Sequence, residues 1–389
     1  MTIVVTGAGS GGHITPILAV AHELKKLDPS CNVVYIGQKG DSLSDIPENN
    51  PDIDKVYTIS AGKLRRYHST GAKQLLDLPT NLKNVRDGTR VVRGLSQSYR
   101  LLGKLKPDAI FIKGGFIGVP VGLAAAKRNI PFITHDSDAI PGLANRIIAR
   151  WATIHAVALP KEYYSYSPNN TETVGVPISD DYKYVDFAKK EAFKNALGLN
   201  KFKLLLLITG GGLGATTINE ISVKALQELL KFYPDLGVVH FVGRAHKEIM
   251  EHQYNTLLTE EERERVVLKT FVEDFYKYSG AADLIIARAG ATNLAEFATQ
   301  GKACIIIPSP YLVGGHQLKN ANALAERRAV KLLDEDSILK NNTVLTKAVS
   351  ELLESAEERN KLSTELHKFA SSDASKRIAM LLLNIGTKK

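Results

Sequence analysis

Three glycine-rich turns constrain this chain more than any other feature: Thr6-Gly7-Ala8-Gly9-Ser10-Gly11-Gly12-His13, Lys113-Gly114-Gly115-Phe116-Ile117-Gly118 and Thr209-Gly210-Gly211-Gly212-Leu213-Gly214-Ala215. Each follows a short apolar run and precedes a stretch with helical spacing. A strand, a glycine turn and a helix N-terminus together form an anion site. Backbone N–H groups point outward, the helix dipole favours negative charge, and glycine lets the main chain come close. Two such turns in the first half and one at the start of the second predict two nucleotide-type domains facing a shared cleft.

The rest of the chain repeats this alternation. Apolar, β-branched runs predict strands at 3–6, 33–36, 56–59, 109–112, 132–134 and 154–157, then at 203–209, 237–242, 266–269, 284–287, 303–307 and 330–332. Helical patterns lie between them, as at 16–27, 218–232, 291–299 and 317–327. Such alternation implies α/β architecture, with parallel sheets covered by helices on both faces. Right-handed crossovers then give two doubly wound domains, a natural number for 389 residues. The polar stretch 165–170 reads as a loop, and Val174-Gly175-Val176-Pro177 as the junction. The expected division is 1–177, 178–365 and a final segment, 366–389. In that segment Ile378, Leu381, Leu382 and Ile385 have helical spacing and are expected to dock back on the first domain.

The only cysteines, Cys31 and Cys304, suit a reducing compartment and lack metal-ligand spacing. Met1-Thr2-Ile3-Val4-Val5 reads directly as a strand, so no signal peptide is expected, and no apolar run is long enough to span a bilayer. The net charge of +9 is concentrated between residues 63 and 108, where eleven Lys/Arg face three Asp. Leucines and valines interleave with these basic residues. The stretch suits either an anionic membrane surface, with Arg65, Arg66, Arg90 and Arg93 as contacts, or a solvated helix face. No nucleic-acid motif accompanies it, and nucleic acid is not an expected partner.

The first turn contains Gly7-x-Gly9-x-x-Gly12, but a dinucleotide site also wants a carboxylate at the end of the second strand. That strand ends Ile36-Gly37-Gln38-Lys39, with none before Asp41. His13 opens the first helix, where the positive end of the dipole favours a neutral imidazole able to take a proton; a capping or packing role is the alternative. The strongest single signal is Ala287-Arg288-Ala289-Gly290-Ala291-Thr292-Asn293-Leu294-Ala295-Glu296. Its turn can hold a diphosphate. Glu296, somewhat more than one helical turn further on, can accept hydrogen bonds from the two hydroxyls of a ribose. Downstream, Gly314-Gly315-His316-Gln317-Leu318-Lys319-Asn320-Ala321 starts another helix with groups suited to sugar hydroxyls.

Together with Gly62-Lys63-Leu64-Arg65-Arg66-Tyr67, His135-Asp136-Ser137-Asp138 and Pro141-Gly142-Leu143-Ala144-Asn145, these elements closely resemble the MurG family. Its members are UDP-N-acetylglucosamine transferases that convert lipid I to lipid II in bacterial peptidoglycan synthesis. The resemblance runs in order from the first strand to about residue 330. It implies a GT-B fold, two Rossmann-like domains around a central cleft, and no cofactor. It also implies that Ser10, Gly11, Gly12 and Gly212 touch the donor, and that Val272 meets uracil through its backbone. Ala291, Thr292, Asn293 and Leu294 would hold the diphosphate, Glu296 the ribose, and Gln317 and Asn320 the sugar, with Ala295 also on the donor side. Gly9, Gly114, Gly115 and Phe116 would bind the polyprenyl-diphosphate acceptor. The implied location is the cytoplasmic face of the membrane, as a peripheral protein; other cell-wall proteins as partners are left open.

This chain departs from the family pattern in three places. Gly212 stands where serine is frequent, Asp136-Ser137-Asp138 where Glu-Gln-Asn is common, and Ser179 where an arginine is expected. Asp-x-Asp is a metal signature in another glycosyltransferase fold, but its place after a first-domain strand argues against a metal. The expected chemistry is single displacement with inversion, by the muramoyl C4 hydroxyl. His13 is the expected base and Asp138 the runner-up. Rival readings are a lipid glycosyltransferase with another acceptor such as diacylglycerol, a UDP-sugar epimerase, a nicotinamide-dependent dehydrogenase, and a non-catalytic sensor.

Overall fold

The computed structural model describes residues 1–7, 11–41, 43–62, 78–138, 140–212, 214–310, 315–371 and 373–387. The strands are β1 (Thr2–Thr6), β2 (Asn32–Gln38), β3 (Lys55–Ile59), β4 (Ala109–Ile112), β5 (Phe132–Asp136), β6 (Ile154–Val157), β7 (Thr171–Thr173), β8 (Leu204–Thr209), β9 (Leu236–Phe241), β10 (Val266–Lys269), β11 (Leu284–Ala287), β12 (Cys304–Ile306) and β13 (Lys331–Leu332). They form two sheets, β3-β2-β1-β4-β5-β6-β7 and β10-β9-β8-β11-β12-β13. The pairings are parallel throughout, for example Val4 with Val34 on one side and Ile110 on the other. Both orders reverse beside the first strand of the sheet, at β1/β4 and β8/β11. Ligands of open parallel sheets lie at such a switch point, beyond the carboxyl ends of the strands.

The chain divides into two compact units, Met1–Ser179 with Ser371–Lys389, and Asp180–Ala370. In each, apolar side chains pack on both sheet faces. Ile3, Val5, Val33 and Phe111 serve one face of the first sheet, and Val4, Val34, Ile110 and Ile112 the other. The two faces of β8 are likewise split, Leu206 and Ile208 against Leu205 and Leu207. This is why the strands read as continuous apolar runs: burial on both faces leaves no polar alternate positions.

The terminal helix Ala374–Thr387 lays Ile378, Ala379, Leu382 and Ile385 into the core that also holds Ile17, Val20 and Leu24 of helix Gly11–Leu27. Its entry is pinned by hydroxyls: Ser371 donates to the Val174 carbonyl at 3.4 Å and Ser375 to that of Ile178 at 2.8 Å. Gly175, at φ +92°, passes Ser371 so closely that a Cβ would collide with its hydroxyl. The strand β7 was not anticipated from the sequence. It is three residues of Thr-Glu-Thr paired with β6, an edge strand with only Thr171 buried, and so it lacks an apolar run.

Candidate functional site

In the first unit, two of the glycine turns leave adjacent strands. β1 runs into Gly7, whose carbonyl accepts from the Tyr35 hydroxyl. A side chain at Gly7 would strike Ile17, which explains the glycine there. Ser10 and Gly9 lie outside the described residues. Gly11 and Gly12 open helix Gly11–Leu27, with Gly12 exposed and His13 half-buried in the first turn. β4 runs into Lys113, whose N–H donates to the Thr6 carbonyl at 3.0 Å and so ties the two turns together. Gly114 and Gly115 follow at φ +110° and +75°, conformations that favour glycine. Phe116 packs against the core beneath, and helix Gly118–Lys127 begins directly after.

Sequence reasoning gave Lys113 no role, yet it is a buried lysine, 4% exposed, at the mouth of these turns. Burial holds it below the ordinary lysine range, against the opposing pull of Asp138 and then Asp136. Asp136 is itself committed to the fold. It accepts from the Gly142 N–H at 2.9 Å, the Asn145 amide at 3.0 Å and the Tyr166 hydroxyl at 2.8 Å. Burial raises its pKa against these three donors. His135 donates through Nε2 to the Gly175 carbonyl at 2.9 Å, and burial, reinforced by Lys113, keeps it neutral. Asp138 is half-buried, and its carbonyl accepts from Tyr164 at 3.0 Å. His13 follows β1 and Asp138 follows β5. These strand ends are two sheet positions apart, or roughly 10 Å.

In the second unit, the turn after β8 is tight. Gly211 and Gly214 stand at φ +88° and +76°, and the Gly214 N–H donates to the Gly211 carbonyl at 2.8 Å. Gly212 is exposed at its tip. Beneath it lies a buried relay. The Tyr254 hydroxyl meets His240 Nδ1 at 2.8 Å, His240 Nε2 meets Asn219 Oδ1 at 3.1 Å, and Asn219 Nδ2 donates to the Val242 carbonyl at 3.0 Å. That carbonyl is where a Cβ on Gly214 would collide. The amide fixes the tautomer: Asn219 presents its oxygen, so His240 carries its proton on Nε2 and accepts on Nδ1. Burial pushes the His240 pKa down to about 3.

His240→Leu strands Asn219 Oδ1 and the Tyr254 hydroxyl and is expected to cost about 2–4 kcal/mol, read as a lower urea midpoint. His240→Gln, whose amide can still donate to Asn219, is expected to recover a good part of the loss. Because the folded-state pKa is depressed, the stabilisation is present above the unfolded value of 6.5 and is lost as pH falls towards 3. That acid-side loss should be missing from His240→Gln.

The turn after β11 has the features of an anion site. Helix Ala291–Gln300 begins after Gly290 with no side-chain cap, and Ala291, Thr292 and Asn293 form its first turn. Leu294 and Glu296 are each 6% exposed, and Ala295 lies half-buried between them. Burial pushes the Glu296 pKa up to about 8, against a hydrogen bond from Tyr182 that lowers it. Asn320 and Gln317, one turn apart on helix His316–Ala325, brace the neighbouring loops. Asn320 Nδ2 donates to the Ala289 carbonyl at 3.2 Å, and Gln317 Oε1 accepts from the Ser309 N–H at 3.0 Å. Val272 follows β10, half-buried against the same apolar core. Arg288, to which sequence reasoning assigned no role, pairs with buried Glu335 and donates to the Ile307 carbonyl at 3.0 Å. It thereby clamps the ends of β11, β12 and β13 together. Among the described residues no group of three His, Cys, Asp or Glu side chains is placed to hold a metal ion.

Comparison with known proteins accounts for both units. Residues 3–157 match the glycosyltransferase family 28 N-terminal domain and residues 205–378 the family's C-terminal domain. A Clostridium perfringens protein named UDP-N-acetylglucosamine--N-acetylmuramyl-(pentapeptide) pyrophosphoryl-undecaprenol N-acetylglucosamine transferase is 34% identical over 358 residues, 90% of this chain and 89% of its own. A protein of the same name from Natranaerobius thermophilus is 32% identical, covering 92% of each chain. The crystal structure of Acinetobacter baumannii MurG superposes with a TM-score of 0.67 at 24% identity, over 98% of this chain and 99% of that one. UDP-GlcNAc 2-epimerase from Neisseria meningitidis, bound to UDP-GlcNAc, superposes at 0.64 with 15% identity, over 99% of this chain and 100% of that one. The two doubly wound sheets are those of the GT-B fold, which transferases and epimerases share.

Proposed function

The chain belongs to glycosyltransferase family 28, and from that premise we propose that it moves N-acetylglucosamine from UDP-N-acetylglucosamine to the C4 hydroxyl of the muramoyl sugar of lipid I, with inversion, giving lipid II. The observation that carries this reading is the uncapped helix start at Gly290 followed by buried Glu296, in a chain whose transferase-named relatives match about nine-tenths of its length. The uncapped N–H groups suit the diphosphate of a UDP-sugar, and a buried carboxyl one turn deeper suits its ribose. In this reading Ala291, Thr292, Asn293 and Leu294 line the diphosphate, Val272 meets uracil, Gly212 the phosphates, and Gln317 and Asn320 the sugar.

The first unit takes the acceptor. Gly114, Gly115 and Phe116 meet its diphosphate, and buried Lys113 lies beside them within the influence of Asp138 and Asp136. His13 takes the hydroxyl proton as C4–O attacks the anomeric carbon and UDP departs. Backbone N–H groups stabilise the charge that develops on the leaving diphosphate. The protein works at the inner membrane surface, peripherally. The described residues contain no helix long and apolar enough to cross a bilayer. Helix Leu78–Leu105 bears the basic stretch and exposes Val92 (70%) and Tyr99. Arg90 and Arg93 lie on this helix, while Arg65 and Arg66 lie outside the described residues.

The deciding experiment measures UDP release with and without a short-chain lipid I analogue. Release that requires this acceptor, and that fails with UDP-glucose or with diacylglycerol, is the expected result. Release without any acceptor, accompanied by conversion of the free nucleotide sugar, would transfer the weight to an epimerase.

A further inference from the structure

A cavity of about 710 Å³ opens in the first unit beside, not at, the switch point. Gln38 at the end of β2 and Ser60 just past β3 form its floor, and Lys39, Thr89, Arg90 and Arg93 its walls. Its place is fixed by close backbone packing. Gly94 meets the Ser60 carbonyl with no room for a Cβ, and the Ser60 N–H donates to Gln97 Oε1 at 2.7 Å. The helix that carries Arg90 and Arg93 is therefore pinned directly to the strand end that forms the floor.

The charge inside the cavity is only partly balanced. Arg90 pairs with Asp87 at 3.1 Å, and Asp87 is 2% exposed beneath it. Among the described residues neither Lys39 nor Arg93 pairs with a carboxylate. Two cations from separate elements thus converge with Gln38, Ser60 and Thr89 on a concave space of ligand size. Lys39, Arg90 and Arg93 are all exposed, and their concave setting suits a discrete anionic group.

We propose that this cavity binds a carboxylate of the acceptor's peptide stem. The inference rests on the acceptor being a muramoyl peptide, and it adds a subsite that the glycine turns do not provide. Reach supports it. The order β3-β2-β1-β4 places the floor one and two strands from the β1 turn, roughly 5–10 Å sideways. A substrate with its diphosphate at β1/β4 spans that distance with about three extended residues, well within a five-residue stem. The stem's terminal carboxylate would meet Lys39 and Arg93, with the neutral polar groups around it.

The test uses the full-length protein and two lipid I analogues, one with a free stem carboxylate and one with that group as carboxamide. Wild type is expected to show an acceptor KM about tenfold lower for the carboxylate form. Lys39→Ala/Arg93→Ala is expected to erase this difference, with kcat and donor KM unchanged. Equal KM values for the two analogues in wild type would overturn the proposal. So would a variant that weakens both analogues alike, which would assign the charge to the diphosphate, or one that loses vesicle binding instead, which would assign it to a lipid headgroup.

Calorimetric binding of soluble muramoyl pentapeptide, compared with its amide, separates this inference from the proposed reaction. Binding that depends on the carboxylate, Lys39 and Arg93 upholds the pocket even if no UDP is released. No preference between the two peptides overturns it even if transfer occurs.

Discussion

Replacing His13 by Ala is expected to lower kcat by about two to four orders of magnitude, with UDP binding changed only slightly. The reason is positional. His13 stands in the first turn of the helix that follows the β1 glycine turn, at the sheet's switch point, where an acceptor hydroxyl would be held. Asp138, the rival base, follows β5, and it is the strongest electrostatic partner pulling against the burial of Lys113. That attraction engages the Asp138 carboxylate with Lys113 rather than with the acceptor hydroxyl. Asp138→Asn is therefore expected to act mainly through Lys113, as a raised acceptor KM with a modest change in kcat. If His13→Ala turns over normally with both substrates saturating, the proton goes elsewhere, and loss of kcat in Asp138→Asn would identify the base.

The parallel sheets were legible because strands buried on both faces must be apolar and β-branched, and because each glycine turn marks a strand's carboxyl end. The helix after Gly290 was legible for the same reason: turn, helix start and Glu296 lie within ten consecutive residues. The features that escaped are those made by distant pairs. Arg288 reads as an ordinary turn residue until Glu335, 47 positions later, is folded against it. His240 is one polar residue in an apolar strand, and its purpose appears only when Asn219 and Tyr254 arrive from two helices. Lys113 carries nothing in its neighbours that distinguishes a buried lysine from a solvated one. The basic stretch was legible as charge but not as shape. A one-dimensional count cannot tell a flat cationic face from one that closes on Lys39, more than fifty residues away, to form a cavity. β7 escaped for the converse reason, since a three-residue edge strand needs no apolar signature.

Glu296→Gln is expected to separate stability from donor binding, with opposite consequences as pH rises. The Glu296 carboxyl has a folded-state pKa of about 8 against an ordinary value of 4.5. Between those limits the folded protein holds a proton that the unfolded chain has released. The stabilisation from a neutral buried carboxyl is therefore complete below the unfolded pKa and is lost as pH rises through 8, a change on the order of 5 kcal/mol. Glutamine stays neutral at every pH, so the melting temperature of Glu296→Gln should match wild type near pH 5 and exceed it by several degrees near pH 9. Binding should run the other way. Two ribose hydroxyls need two acceptors, which a carboxylate supplies and a carboxamide or neutral acid does not. UDP should thus select the ionised form in wild type, release a proton near pH 7, and bind more tightly as pH climbs towards 8. In Glu296→Gln the affinity should be about 10- to 100-fold weaker and flat with pH. Calorimetry in two buffers of different ionisation enthalpy reads the proton directly. Wild-type binding without proton release, equally tight at pH 6 and pH 8, would mean that the ribose does not depend on an ionised Glu296.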